Sequence, residues 1–102
     1  MSNTTSPLLE PIPDAWGTKY QSTSGAACHT HIGPNSIQFK APSHMALMLL
    51  TPQENRELSL NSNRKTIFSA PVGTLEIVPA NSELYAQWKD TKECLLVALS
   101  SE

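Results

Sequence analysis

From Asn35 onward apolar and polar residues alternate with a period of two. Ile37 and Phe39 are interleaved with Ser36, Gln38 and Lys40, which predicts a strand with one buried face. Pro42 ends it. Between Pro42 and Pro52 the run Met45-Ala46-Leu47-Met48-Leu49-Leu50 is apolar at every position. It is too short for a good helix, and the pattern predicts a core strand buried on both sides. Arg56 to Leu60 alternates again, and Asn61-Ser62-Asn63 tolerates the positive φ of a tight turn before Arg64 to Phe68 returns as the second arm of a hairpin. After Ala70-Pro71-Val72-Gly73, the segment Thr74 to Val78 places Leu75 and Ile77 on one face and stops at Pro79. Leu84 to Trp88 and Cys94 to Leu99 complete the series, joined through the polar turn Lys89-Asp90-Thr91-Lys92.

Upstream the pattern is weaker. Pro7, Pro11 and Pro13 remove backbone donors and push their predecessors toward extended geometry, so residues 1–17 are predicted to form an extended, Pro-rich arm. Thr18 to Thr23 reads as a weak edge strand. Gly25 to Pro34 carries turn residues at both ends and reads as a loop. The result is about seven short, evenly spaced strands and no helix, an all-β class. One antiparallel sandwich or small barrel over residues 18–102 is expected, because stacking or closing the sheets hides their edges. The pattern does not choose between sandwich and barrel.

A chain of 102 residues supports one core. With 39% apolar and 16% charged residues it sits in the range of globular domains, away from disordered chains. The net charge of -2 supplies no clustered Lys and Arg for phosphate backbones, so this stretch is not expected to bind DNA. Met45 to Leu50 falls far short of the roughly 20 residues that cross a bilayer, and no membrane contact is expected. The N-terminus, Met1 to Pro7, has neither a cationic start nor an apolar h-region, which makes the cytoplasm the default location. Cys28 and Cys94 form no CxxC pair and read as small buried thiols rather than a disulfide.

Gly73-Thr74-Leu75-Glu76-Ile77-Val78-Pro79-Ala80 resembles the G-D-L-x-x-I-P-A-G turn and strand of cupins, in which Gly permits the tight turn and Pro ends the strand. Pro42-Ser43-His44 leads into the apolar strand, and Trp88 precedes a closing strand at Glu93 to Leu99. In this order and spacing the chain resembles the N-terminal, cupin-like sensing domain of AraC-family transcriptional regulators, over Phe39 to Leu99. The resemblance implies a cupin-like double-stranded β-helix that binds a small-molecule effector, often with the N-terminal arm involved, and that forms a homodimer. DNA would be contacted only through a helix-turn-helix region beyond Ser101-Glu102. Enzymatic cupins hold a metal through His-x-His, Glu and a later His. Here the aligned places carry His44-Met45-Ala46, Leu50 and Leu84, and Asn81 stands for the usual Gly. The resemblance therefore implies a barrel with no metal and no cofactor.

His29-Thr30-His31 would point two imidazoles the same way on a strand. The segment reads as a loop with no nearby carboxylate, so these are expected to be surface histidines. No G-x-S-x-G elbow and no glycine-rich phosphate loop is present, so no enzyme is expected. The candidate ligand-binding residues are Trp88, Tyr85, His44, Arg56, Phe39 and Met48. Trp88 offers apolar area plus one N–H donor. Arg56 offers a planar fork for a carboxylate, against the plainer reading of a solvated strand residue. Phe39 and Met48 also fit as plain core. The expected function is effector sensing in a metal-free barrel. The alternatives are a standalone metal-dependent cupin enzyme, with His29, His31 and His44 gathered in space, and a barrel that self-associates by sheet pairing or arm exchange.

Overall fold

The structure is a computed structural model that describes residues 7–99. Among them are nine strands: β1 (Lys19–Gln21), β2 (Gly25–Ile32), β3 (Asn35–Lys40), β4 (His44–Leu49), β5 (Gln53–Leu60), β6 (Thr66–Ala70), β7 (Leu75–Val78), β8 (Glu83–Trp88) and β9 (Lys92–Leu99). They form a five-stranded sheet in the order β1-β2-β9-β4-β7 and a four-stranded sheet in the order β3-β8-β5-β6. Every pairing is antiparallel. The chain passes from one sheet to the other six times, first at Gly33-Pro34, and stays within a sheet only at the β1–β2 and β5–β6 connections.

The core follows from the cross-strand register. Rows Ala26–Ala98–Met45–Val78 and Cys28–Leu96–Leu47–Glu76 cross the inner face of the five-stranded sheet. A third, Thr30–Cys94–Leu49, lies nearer the β2–β3 corner. Ile37, Phe39 and Leu84 of the other sheet pack onto the first core cluster, as the alternation in Asn35–Lys40 requires. Turn chemistry matches backbone geometry. Gly73 has φ 92°, Asn61 φ 55° and Asn81 φ 70°. Asn81 thus takes the left-handed conformation for which Gly is usual, and Asn is among the few other residues that adopt it readily.

Three expectations change, and that for Leu75 and Ile77 holds with its face assigned. The segment read as a loop, Gly25 to Pro34, holds β2, which pairs with β9 from Gly25↔Leu99 to Ile32↔Lys92. Its inward residues, Ala26, Cys28 and Thr30, are small or hydroxylated, so the period of two was present without an apolar signal. The apolar strand β4 is buried on one face only: Met45 and Leu49 point inward, while Met48 is exposed. Leu75 and Ile77 do share a face, and it is the exposed one, with Glu76 and Val78 inward. Within the arm read over residues 1–17, residues 7–17 hold two 3₁₀ turns rather than one continuous extended segment; residues 1–6 lie outside the described residues. Two 3₁₀ turns, Pro7–Leu9 and Asp14–Trp16, place Leu9 and Ile12 in the core. The proline rings that disfavour strand are compatible with such turns.

Gly17 joins the second of these turns to β1. A Cβ there would run into the backbone carbonyl oxygen of His29, and no side-chain rotation relieves a clash with backbone. Gly17→Ala is expected to lower the unfolding free energy by about 2 kcal/mol or more in urea titrations, on the scale of other overpacking changes. Gly33→Ala, which meets nothing within 4 Å, is expected to change it by less than about 0.5 kcal/mol.

Candidate ligand-binding site between the sheets

A narrow cavity of about 40 Å³ lies between the inner faces, lined by apolar residues that include Ile12, Trp16, Ile37, Phe39 and Leu84. Its polar groups are Thr30, Arg56, Glu76, Lys92 and Cys94. Arg56 reaches the interior because β5 alternates: Arg56 and Leu58 share a face, and the bulge between Gln53 and Arg56 shifts the register just before it. Glu76 arrives from β7 through its pairing with Leu47. Lys92 is the first residue of β9 and shares the inward face of Cys94, Leu96 and Ala98.

Arg56 is 1% exposed. Its Nε donates to Glu76 Oε2 at 2.7 Å and its Nη2 to Oε1 at 2.7 Å, a two-pronged pair between the sheets. The third nitrogen, Nη1, is buried with no hydrogen-bond partner among the described residues. Lys92 is also buried, with Nζ 3.7 Å from the centroid of the Trp88 ring, and the Arg56 guanidinium carbon lies 5.9 Å from the same centroid. Among the described residues Lys92 has no carboxylate within ion-pair distance. Burial pulls its pKa down from 10.5 to about 8. Near neutral pH the site therefore holds two cations and one carboxylate, a net charge of +1 in apolar surroundings. Beside them Thr30 Oγ1 and Cys94 Sγ share a hydrogen bond of 2.9 Å.

The six residues proposed from sequence divide. Phe39 and Arg56 line the cavity. Trp88 is 1% exposed and forms the platform under Lys92; its Nε1–H donates to Gly33 O at 2.8 Å, so that donor is already engaged. Trp16 meets the Trp88 ring edge-on at 5.7 Å. Tyr85 faces outward from the four-stranded sheet, where its hydroxyl donates to Gln87 Oε1 at 3.1 Å and Lys65 stands over its ring. Met48 and His44 lie on the outer face of the five-stranded sheet, and His44 Nδ1 accepts the Ala80 N–H at 3.0 Å. The plain reading of Arg56 as solvated and of Met48 as core are both reversed. Glu76, Lys92, Thr30 and Cys94 were not singled out from sequence. Extending the Cys94 to Leu99 alternation back by one step would have brought in Lys92.

His29 and His31 are exposed on β2, and His29 Nε2 lies 2.6 Å from Glu93 Oε2. In register His29 sits opposite Leu95 and His44 opposite Leu99, with β9 between them. That spacing is roughly 13 Å along the strands and about 10 Å across them, so His29, His31 and His44 do not gather around one ion. Among the described residues no group of three His, Cys, Asp or Glu side chains is placed to hold a metal. Glu76, the carboxylate at the cavity, is committed to Arg56, and the donors present do not suit the metal of enzymatic cupins. Cys28 and Cys94 are free, buried thiols, and burial raises the Cys28 pKa. No helix among the described residues is long and apolar enough to cross a membrane.

Two facing antiparallel sheets, closed at Gly73 and Asn81, are the double-stranded β-helix of the cupin fold, and solved structures agree. A cupin superfamily protein from Desulfitobacterium hafniense superposes with a TM-score of 0.63 at 13% identity, over 80% of this chain and 72% of its own. An RmlC-like cupin family protein with a double-stranded β-helix fold from Methanocaldococcus jannaschii gives 0.64 at 14%, over 79% and 74%. The cupin domain of Schizosaccharomyces pombe Cnp3 gives 0.62 at 16%, over 80% and 60%. No protein-family model matches the sequence, and no curated protein matches it. At these identities the likeness is one of fold.

Lys92 gives the fold a measurable pH dependence. Its folded pKa of about 8 lies below the ordinary 10.5, so between those values the unfolded chain keeps a proton that the folded chain has lost. Stability then rises with pH. The ammonium's burial costs about 3 kcal/mol below pH 8, and this cost is relieved as pH climbs toward 10.5. The wild-type unfolding free energy is expected to climb over that window relative to Lys92→Met. Parallel curves for the two proteins would refute the assignment.

Proposed function

We propose that this chain is an effector-binding cupin module without catalytic activity, and that it takes a small carboxylate into the cavity beside Arg56 and Lys92. The observation that carries this reading is the buried Nη1 of Arg56, unpartnered among the described residues, beside a buried ammonium that has no counter-ion among them. Unpaired polar groups and net charge in apolar surroundings are costly, and a carboxylate would satisfy both at once with charge-assisted hydrogen bonds. Size points to a short acid. An apolar cavity of about 150 Å³ takes a benzene, and roughly 10–15 Å³ takes a water. The space here, about 40 Å³, matches formate or acetate.

The regulatory reading extends this one. In it the barrel serves as the sensing domain of an AraC-type regulator, acts in the cytoplasm, and passes its bound state to a helix-turn-helix region encoded beyond residue 102. The support is the order of the Pro42-Ser43-His44, Gly73 to Ala80 and Trp88 segments together with a cavity whose cationic groups, Arg56 and Lys92, suit an anion better than a metal. A coding sequence that continues into such a region would support it, and an immediate stop would remove it.

Titration of the 102-residue protein with formate, acetate and propionate at pH 6.5, followed by calorimetry and amide NMR, tests the site. Acetate has four heavy atoms, and the ceiling of about -1.5 kcal/mol per atom sets its Kd no tighter than about 50 μM. Saturable binding in the range of about 0.05 to 10 mM is expected, with shifts centred on Thr30, Lys92 and Cys94. Lys92→Met keeps the Arg56–Glu76 pair and is expected to weaken binding at least about tenfold, the effect of losing one charged hydrogen-bond partner. No saturable shift, or equal binding by Lys92→Met, would sink the proposal.

A further inference from the structure

Lys92 differs from the other lysines of the chain. Lys19 is paired with Asp14 at 2.7 Å, Lys65 stands over the ring of Tyr85, and Lys40 and Lys89 are exposed. Lys92 is 4% exposed and lines the cavity, and among the described residues no carboxylate lies within ion-pair distance of it. The Trp88 ring covers one side of its Nζ at 3.7 Å; an aromatic face attracts a cation but accepts no proton from it. Arg56 borders the same cavity, with Nη1 unpartnered among the described residues. The two cations differ in chemistry. A guanidinium stays protonated and only donates hydrogen bonds, whereas a buried lysine loses its proton readily and becomes a nucleophile toward carbonyl carbon.

From this we infer that the cavity captures a short α-oxo acid covalently, its carboxylate held by Arg56 and its carbonyl carbon bonded to Lys92 Nζ as an imine. The inference rests on the carboxylate reading of the same site and names the class of acid. The amine lone pair bonds to the carbonyl carbon while the carbonyl π pair moves onto oxygen. Two protons pass from nitrogen to that oxygen, which leaves as water with the C–O bonding pair, and the electron pair freed on nitrogen closes the C=N bond. Nothing is oxidised or reduced, and hydrolysis returns both reactants, so the bond is a mode of capture rather than turnover. Loss of the oxygen also settles the size. Glyoxylate, the smallest α-oxo acid, leaves on the nitrogen a carboxylate and one carbon, the same heavy atoms as acetate, which the space of about 40 Å³ matches. Burial favours the reactive form. With the Lys92 pKa at about 8, about a quarter of the groups are free amine at pH 7.5, against about one in a thousand for a lysine at its ordinary value.

Reductive trapping tests the inference. The 102-residue protein is incubated at pH 7.5 with glyoxylate and sodium cyanoborohydride, which turns an imine into a stable carboxymethyl amine, and the modified lysines are located by peptide mass mapping. Label on Lys92 is expressed relative to Lys40 and Lys89 in the same sample, which cancels the intrinsic reactivity of the aldehyde. A preference for Lys92 of at least about tenfold is expected from its larger share of free amine, together with loss of that preference when acetate saturates the site or when acetaldehyde, which has no carboxylate, replaces glyoxylate. Lys92 labelled no faster than Lys40 and Lys89, in protein that binds acetate, would overturn the inference and leave the carboxylate reading standing. An undiminished preference with acetaldehyde or in the presence of acetate would overturn it too, because Arg56 would then take no part. Failure of both acetate binding and selective labelling would remove the two readings together.

Discussion

The contact on which the interior depends is the ion pair between Arg56 and Glu76. The two residues come from β5 and β7, in different sheets, and their fork of two 2.7 Å hydrogen bonds crosses the space that apolar side chains would otherwise close. A buried pair of this kind is weak evidence of net stability, since desolvation of both ions offsets much of their attraction. Loss of one partner is another matter, because it strands the other charge in the core. The pair acts as a constraint on geometry. It fixes how the sheets face each other, leaves Nη1 without a partner, and puts a second cation, Lys92, within reach of the same Trp88 ring.

Much of the fold was legible in the sequence wherever polar and apolar residues alternated cleanly. Asn35–Lys40 and Glu83–Trp88 are of this kind, and Gly73 and Asn61 marked turns whose backbone has the positive φ those residues tolerate. Legibility failed where the code is not apolar against polar. In β2 the buried positions are Ala26, Cys28 and Thr30, which a hydrophobic template does not count. In β9 both faces are apolar, with Leu96 and Ala98 inside and Leu95, Val97 and Leu99 outside, so periodicity could not say which side is core. The same ambiguity hid the exposed side of β4.

The site was legible in part for a related reason. Arg56 and Phe39 were named because their types are informative, and the alternation Arg56-Glu57-Leu58 already placed the guanidinium on the same side as a leucine. Glu76 and Lys92 look like ordinary strand and turn residues until β7 and β9 are paired with their neighbours. Their meaning depends on contacts between segments far apart in the chain. The cupin fold hosts many activities, and fold alone selects none of them; the functional reading of this barrel therefore rests on the charged cluster beside its apolar cavity.

The edge-on stack of Trp16 on Trp88 has an optical consequence. These are the chain's two tryptophans, they meet at 5.7 Å, and one of them carries the Lys92 ammonium against its ring. Trp16 lines the cavity and Trp88 lies behind the Lys92 that also lines it, so the protein's tryptophan emission originates beside it. Intensity and wavelength follow the charge beside the ring and the water around it. The protein thus carries a built-in fluorophore beside the proposed carboxylate site.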